Sequence, residues 1–397
     1  MSNKRVYMDY ASTTPLRGEV FEAMRPYFIK NFGNSGSVHA EGFQAKKSLD
    51  VARKSVALEL QAHADEIIFT SGGTESNNLA IFGVAQALEK KGVPFSKMHF
   101  VTTAIEHSSV LECFKELESR GAEVDYVPVE SNGIVSPQKI ARVLRSETVL
   151  VSVQYANNEI GTIQPIRKVG LLIRDHNSKF PIPNSRHGKM FRTFFHADAS
   201  QAPLYLDCMV ERLGVDLMTL DGHKMHGPKG VGILYARRGT ELLPILFGGG
   251  QERGVRSTTE NVPLIVGFAK AFELASLHRK KESARLAKLR DYFYSNVLKN
   301  IRINSLIING DMKERLPNNV NISLLGVDTE FAVLKLDAWG IAASTKSSCL
   351  GSEGASYVVK ALGGEAARAD STLRFTFGLA TTKKDVDYLL RCLRKII

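Results

Sequence analysis

The sequence predicts an α/β protein: a mostly parallel sheet covered on both faces by helices, joined to a smaller α/β unit at the carboxyl end. Three observations predict it. Short apolar strand patterns alternate with helical patterns through the central stretch, as in βα-built sheets. The 397 residues are enough for a large core and a second, smaller domain. The rhythm then changes at Asn261, where a long helical pattern begins.

The elements follow in order. Leu49, Ala52, Val56 and Leu60 recur at spacings of three and four, which predicts an amphipathic helix over 42–60. Strands are predicted at 66–70, 98–102, 123–129, 149–154, 194–198, 217–220 and 231–235, with a helix at 75–88 after the first of them. Beyond residue 261 the long helix runs into the charged stretch 278–290, followed by strands near 307 and 320–324. A closing helix from about Lys383 carries Val386, Leu389, Leu390 and Leu393 on one face. Residues 177–192 hold two prolines and several basic residues without periodicity, and read as a surface loop.

Hydrophobic content of 44% and charged content of 23% exclude a disordered or fibrous chain. No apolar run is long enough to span a bilayer and no signal-peptide pattern follows Met1, so no membrane or secretory route is expected. The four cysteines, Cys113, Cys208, Cys349 and Cys392, lack the spacing of a zinc site or a disulfide framework. They suit a reducing, cytoplasmic setting, and no metal is expected. A net charge of +11 favours an acidic partner or reflects a generally basic proteome. No aromatic-basic pattern accompanies it, so direct nucleic-acid binding is not expected.

Five segments carry chemistry. In Asp221-Gly222-His223-Lys224-Met225-His226-Gly227, Lys224 follows a strand end among glycines, where an amine can meet the aldehyde of pyridoxal phosphate; a surface loop lysine is the plainer reading. Thr70-Ser71-Gly72-Gly73-Thr74-Glu75 joins a strand to a helix start, so the Gly73 and Thr74 amides and the Thr74 hydroxyl suit a phosphate, or form an ordinary capped turn. Its spacing is not that of a Walker loop. Asp198, at the end of the aromatic strand, suits a pyridinium nitrogen or caps a turn. His107 is placed to stack on a ring and move protons, or is structural. Asn157 offers a hydrogen bond to a cofactor oxygen, or organises its own turn.

Taken together and in this order, these segments resemble the cysteine desulfurases of the NifS/IscS type, within the aminotransferase-like pyridoxal-phosphate family. The similarity runs from Met8-Asp9-Tyr10-Ala11-Ser12-Thr13-Thr14-Pro15 to the closing helix. It implies the type I transferase fold, with a large domain over 16–260 built on a seven-stranded sheet. Residues 1–15 and 261–397 would form the small domain that carries a catalytic cysteine loop. By the same resemblance Lys224 holds the cofactor, Asp198 pairs with its ring nitrogen and His107 stacks on it. Thr74, His223 and Gln201 contact its phosphate or phenolate side. Thr259 reaches the phosphate of the partner subunit, which implies a homodimer. Arg374, with Asn34 nearby, binds the carboxylate of L-cysteine, a role that suits a forked guanidinium. Cys349 lies in the polar loop Ser347-Ser348-Cys349-Leu350-Gly351-Ser352, which resembles the long loop of the IscS-like group. It would receive the sulfur as a persulfide, for delivery to an iron–sulfur scaffold or a tRNA-thiolation protein.

Three positions depart from that pattern. Asp221 stands where a serine or another small residue bonds the phosphate, Leu379 replaces an arginine, and 177–192 looks like an insertion. An aminotransferase or β-lyase without persulfide chemistry, and a catalytically weak scaffold-binding homologue, are the rival readings.

Overall fold

The structure is a computed structural model describing residues 5–179, 192–300, 305–346 and 355–396. The chain enters through a short strand, β1 (Val6–Tyr7). The main sheet follows: β2 (Ile67–Thr70), β3 (His99–Thr103), β4 (Glu123–Val127), β5 (Thr148–Ser152), β6 (Phe194–Asp198), β7 (Leu217–Asp221) and β8 (Gly232–Ala236). Their order across the sheet is β2-β8-β7-β6-β5-β3-β4. Only β8 runs against its neighbours; the pairs from β7 to β4 are parallel. This is the predicted seven-stranded, mostly parallel sheet.

Burial explains why these segments are strands. In β3, β5 and β7 every residue is buried, because helices cover both faces. At the edge, β4 keeps Glu123 exposed and Asp125 half-buried, charges that discourage further pairing. From β3 the chain passes to β4 on one side and then to β5 on the other, so a crevice opens beyond the carboxyl ends of β3 and β5.

The second unit contains β9 (Leu306–Ile308), β10 (Asn319–Leu324), β11 (Ile341–Ala342) and β12 (Thr372–Thr376). β12, β10 and β9 form an antiparallel sheet, and β11 pairs in parallel with β1. Asp9 bridges to Thr376, so the amino-terminal strand is fastened to this unit. Phe293, Phe375 and Phe377 are fully buried here, and each contributes roughly 1.5–3 kcal/mol through its burial. The helix Val262–Asn300 serves both units. Ile265, Phe268 and Phe272 pack into the core beneath the main sheet, whereas Leu286, Phe293 and Val297 pack into the second. The change of core therefore falls inside one continuous helix, past residue 261 where the sequence rhythm changes.

The helix predicted at 75–88 spans Gly73–Lys90, and the one predicted at 42–60 spans Ala40–Leu60. The loop expected at 177–192 begins later than expected. Residues 177–179 complete the helix Ile166–Lys179, and Arg192 forms an ion pair with Asp216; 180–191 lie outside the described residues. Among the described residues, no helix is long and apolar enough to cross a membrane.

Candidate active site

A cavity of about 170 Å³ lies at the carboxyl ends of the central strands. Asp198 ends β6 and Asp221 ends β7, while Gln154 follows β5. Its lining includes Gly73, Thr74, His107, Asp198, Gln201, His223, Lys224 and Arg374, residues from distant parts of the sequence.

Lys224 Nζ donates to the carbonyls of Ala11 (2.7 Å) and Ser12 (2.8 Å). Asp198 is buried and held on both oxygens: Oδ1 accepts from the Ser200 amide (2.9 Å) and hydroxyl (2.6 Å), and Oδ2 from Asn77 Nδ2 (2.8 Å). His107 caps the helix Ser108–Ser119, its Nδ1 accepting from the Ser109 amide at 3.2 Å. That bond keeps the Nδ1 lone pair occupied, so in the neutral ring Nε2 carries the proton. Gln201 donates to the Ala11 carbonyl at 2.9 Å, and His223 Nδ1 pairs with the Thr13 hydroxyl at 3.0 Å.

Arg374 is almost fully buried on β12. Its guanidinium donates to Asp9 Oδ1 (2.8 Å), Ser12 Oγ (2.7 Å) and the Asn158 carbonyl (3.1 Å). The Nε–H is buried without a partner among the described residues, an unmet donor at the cavity wall. Asn77 Oδ1 is likewise buried without a partner.

Other expected residues lie elsewhere. Asn157 is fully buried and organises its turn: Oδ1 accepts from the amides of Glu159 (2.8 Å) and Ile160 (2.9 Å), and Nδ2 donates to the Ile105 carbonyl. Its neighbour Asn158 lines the cavity instead. Asn34 is exposed and outside the cavity, its Oδ1 accepting from the Gly36 amide. Thr259 lines a separate surface pocket with Arg256 and Glu260. Cys349 lies outside the described residues, but the chain on either side of 347–354 is described.

Both flanks meet the site. Upstream, Ser344 exchanges backbone hydrogen bonds with Arg374 in both directions, at 3.2 and 2.6 Å. Downstream, Ser356 Oγ donates to Glu159 Oε2 at 2.6 Å, and the Tyr357 hydroxyl donates to the carbonyl of Glu106, next to His107.

The other thiols have the environment of packing residues. Burial pushes Cys113 and Cys208 up to about 12 and raises Cys392 as well. Glu106 is fully enclosed: desolvation lifts its carboxyl to about 8, against the opposing pull of hydrogen bonds from Thr103 and the Gln154 amide.

Asn77, Ser109, Ser200 and the stretch 9–14 were not assigned roles from the sequence. Asn77 had a usable signal, since it stands one helical turn beyond Gly73 and therefore on the same face. The motif at 8–15 was visible as a motif, without a job attached to it.

Amine, carboxylate, imidazole, a helix start for an anion and a buried guanidinium fit pyridoxal phosphate bearing an amino acid, on the fold that aminotransferases share. The chain belongs to the aminotransferase class-V family, which it matches over residues 6–389. Among curated relatives, it is 45% identical over 395 residues to the cysteine desulfurase IscS of Dictyoglomus turgidum, covering 99% of this chain and 95% of that one. It is 42% identical over 396 residues to the cysteine desulfurase IscS of Methanosarcina thermophila, covering 100% and 92%. A solved NifS-like protein superimposes with a TM-score of 0.89 at 35% identity, covering 99% of both chains. SspA, solved in complex with cysteine, gives 0.78 at 32% identity, covering 94% of this chain and 98% of that one.

Proposed function

We propose that this chain is a pyridoxal-phosphate-dependent cysteine desulfurase, converting L-cysteine to L-alanine with the sulfur held as a persulfide on Cys349. One observation carries the reading: the two flanks of the cysteine segment are hydrogen-bonded to the strand of Arg374 and to the carbonyl beside His107. The described residues that flank 347–354 are thus fastened to the cavity's surroundings. The solved relative that holds cysteine supports the choice of substrate.

Bound pyridoxal phosphate supplies the electron sink that makes the Cα–H of an attached amino acid acidic. The residues of this chain do the rest. Arg374 binds the substrate carboxylate with the donors its protein contacts leave over, in a site too buried for water to compete well. Lys224 takes the Cα proton as a neutral amine and returns it. Asp198, held by Ser200 and Asn77, would pair with the ring nitrogen and favour its protonated form. His107 would lie against the ring and offer its Nε2 proton, while Gly73, Thr74, His223 and Gln201, which line the same cavity, would hold the phosphate and phenolate side. The Cys349 thiolate attacks the substrate sulfur: the S–S bond forms as the Cβ–S bond breaks, and the carbon skeleton leaves as alanine after protonation.

The working unit is a homodimer in the cytoplasm, with Thr259 serving the partner's phosphate. Exposed Phe28, Ile29, Phe32 and Phe43 near the amino terminus and Phe247 near Thr259 are the apolar surface such a dimer would cover. An iron–sulfur scaffold or a tRNA-thiolation protein takes the sulfur. The test is incubation with cysteine, followed by mass spectrometry of the Cys349 peptide and an alanine assay. Wild type gains one sulfur on that peptide; Cys349→Ala keeps its bound cofactor and makes no alanine. Alanine formation that survives the substitution refutes the persulfide route.

A further inference from the structure

Asp221 stands where the cofactor's phosphate should be welcomed. Its side chain is buried at the cavity wall and is not turned away from the helix start. Oδ2 accepts the Gly73 amide at 2.8 Å, and Oδ1 accepts the His223 amide at 3.3 Å. The His223 ring approaches Oδ2 at 3.5 Å. The approach is close: a Cβ at residue 73 would meet Asp221 Oδ2 and Ser200 Oγ, each at 3.1 Å, and both side chains would have to give way. Burial alone would raise the Asp221 carboxyl. The His223 hydrogen bond and charge, the Gly73 amide and Lys224 outweigh it, and the group is held below its ordinary range. It is therefore an anion at neutral pH, and it already uses an N–H that the helix Gly73–Lys90 presents at its start.

We infer that Asp221 is a built-in competitor for the phosphate cradle: it shares or surrenders the Gly73 amide when the cofactor's phosphate arrives, and so reduces the preference of this site for phosphorylated over unphosphorylated pyridoxal. The inference rests on the pyridoxal-phosphate reading of the cavity. Two anions at one helix start repel, and the arriving phosphate bears that repulsion, whereas pyridoxal, which has a hydroxyl there, does not. The other contacts of the cradle, Thr74, His223 and Gln201, are unaffected in kind. Asp221 thereby acts on the strength of cofactor retention without touching the reacting atoms.

The test uses the full-length apoprotein of wild type, Asp221→Ser and Asp221→Asn, titrated with pyridoxal phosphate and separately with pyridoxal. Binding is followed by the visible absorbance of the lysine-bound chromophore. Inorganic phosphate is added as a competitor in a third series. Serine supplies a hydroxyl that can donate to phosphate, and asparagine removes the charge while keeping the shape. Both variants are expected to bind pyridoxal phosphate about tenfold more tightly, equivalent to about 1.4 kcal/mol, with pyridoxal affinity unchanged. Inorganic phosphate should compete more strongly in both. Pyridoxal-phosphate affinities within twofold of wild type, or weaker than it, overturn the inference. So does a parallel shift for both carbonyls, which would place the effect on Lys224 instead of the phosphate. If no protein, wild type included, forms the chromophore with either compound, the cofactor reading itself fails along with the inference.

Discussion

Arg374→Lys is the substitution for which the structure gives the most specific expectation. The guanidinium is almost fully buried, and three of its hydrogen bonds go to Asp9, Ser12 and the Asn158 carbonyl. Truncation to alanine would strand Asp9 without its partner, and breaking a buried pair costs about 3–5 kcal/mol, so fold and function would fail together. Lysine keeps a cation for Asp9 and reaches a similar depth, but it has no planar fork. Its three N–H donors only match the three protein acceptors, so a hydrogen bond to a substrate carboxylate would come at the loss of one of these or not form. Losing one charge-assisted hydrogen bond removes about 1.5–3 kcal/mol, or roughly 10- to 150-fold in kcat/KM for cysteine. The loss should fall mainly on KM, since the bond exists before and during the reaction. The assay is alanine formation against cysteine concentration, with thermal unfolding run in parallel to show that the variant is folded. A folded variant whose KM for cysteine stays within threefold of wild type would remove Arg374 from the substrate site.

Two further expectations concern groups that titrate far from their ordinary ranges. Glu106 moves from 4.5 to about 8 on folding, so the folded chain holds a proton there that the unfolded chain has released. Its contribution is complete below about pH 4.5 and is lost as pH rises through about 8. Glu106→Gln should therefore flatten the fall in Tm between those limits, and parallel Tm-against-pH curves for the two proteins would count against the assignment. Cys113 and Cys208 are raised to about 12, and Cys392 is also raised, so none of these thiols is appreciably ionised near neutrality. Brief treatment with one equivalent of iodoacetamide should label the Cys349 peptide first; preferential labelling of Cys113 or Cys208 would contradict this.

Much of the sheet was legible because its strands are short apolar runs buried on both faces, a pattern that needs no tertiary information. β6 has the predicted bounds, and the other strands of the main sheet fall within one or two residues of theirs. Lys224, Asp198 and His107 were legible for a related reason: each follows or ends a strand, and strand ends of a parallel sheet converge on one edge. Asn157 was left with two uses because an asparagine in a polar turn is competent for both, and the amides of Glu159 and Ile160 show that its Oδ1 organises the turn. The boundary at 261 marks where a helix begins, whereas the packing changes partners further along it, which no local pattern encodes.

What the sequence concealed most completely is the work of residues 9–14. Within that stretch the Ala11 and Ser12 carbonyls hold the Lys224 amine, and Asp9 with the Ser12 hydroxyl holds the Arg374 guanidinium. Thr13 and Thr14 hold the ring and the carbonyl of His223. Five residues of this stretch thus hold Lys224, Arg374 and His223, to which we assign the cofactor, the substrate carboxylate and the phosphate. Asp9 meanwhile bridges to β12 of the second unit. Much of this work is done by backbone carbonyls, which leave no trace in side-chain identity. The consequence is mechanical: Arg374 lies on β12 of the second unit and Lys224 in the turn after β7 of the main sheet, yet their heads are hydrogen-bonded to the same Ser12, one through its hydroxyl and the other through its carbonyl. A movement of the second unit against the main sheet must carry that residue, and with it the distance between the Lys224 amine and the Arg374 guanidinium, the groups to which we assign proton transfer and substrate binding.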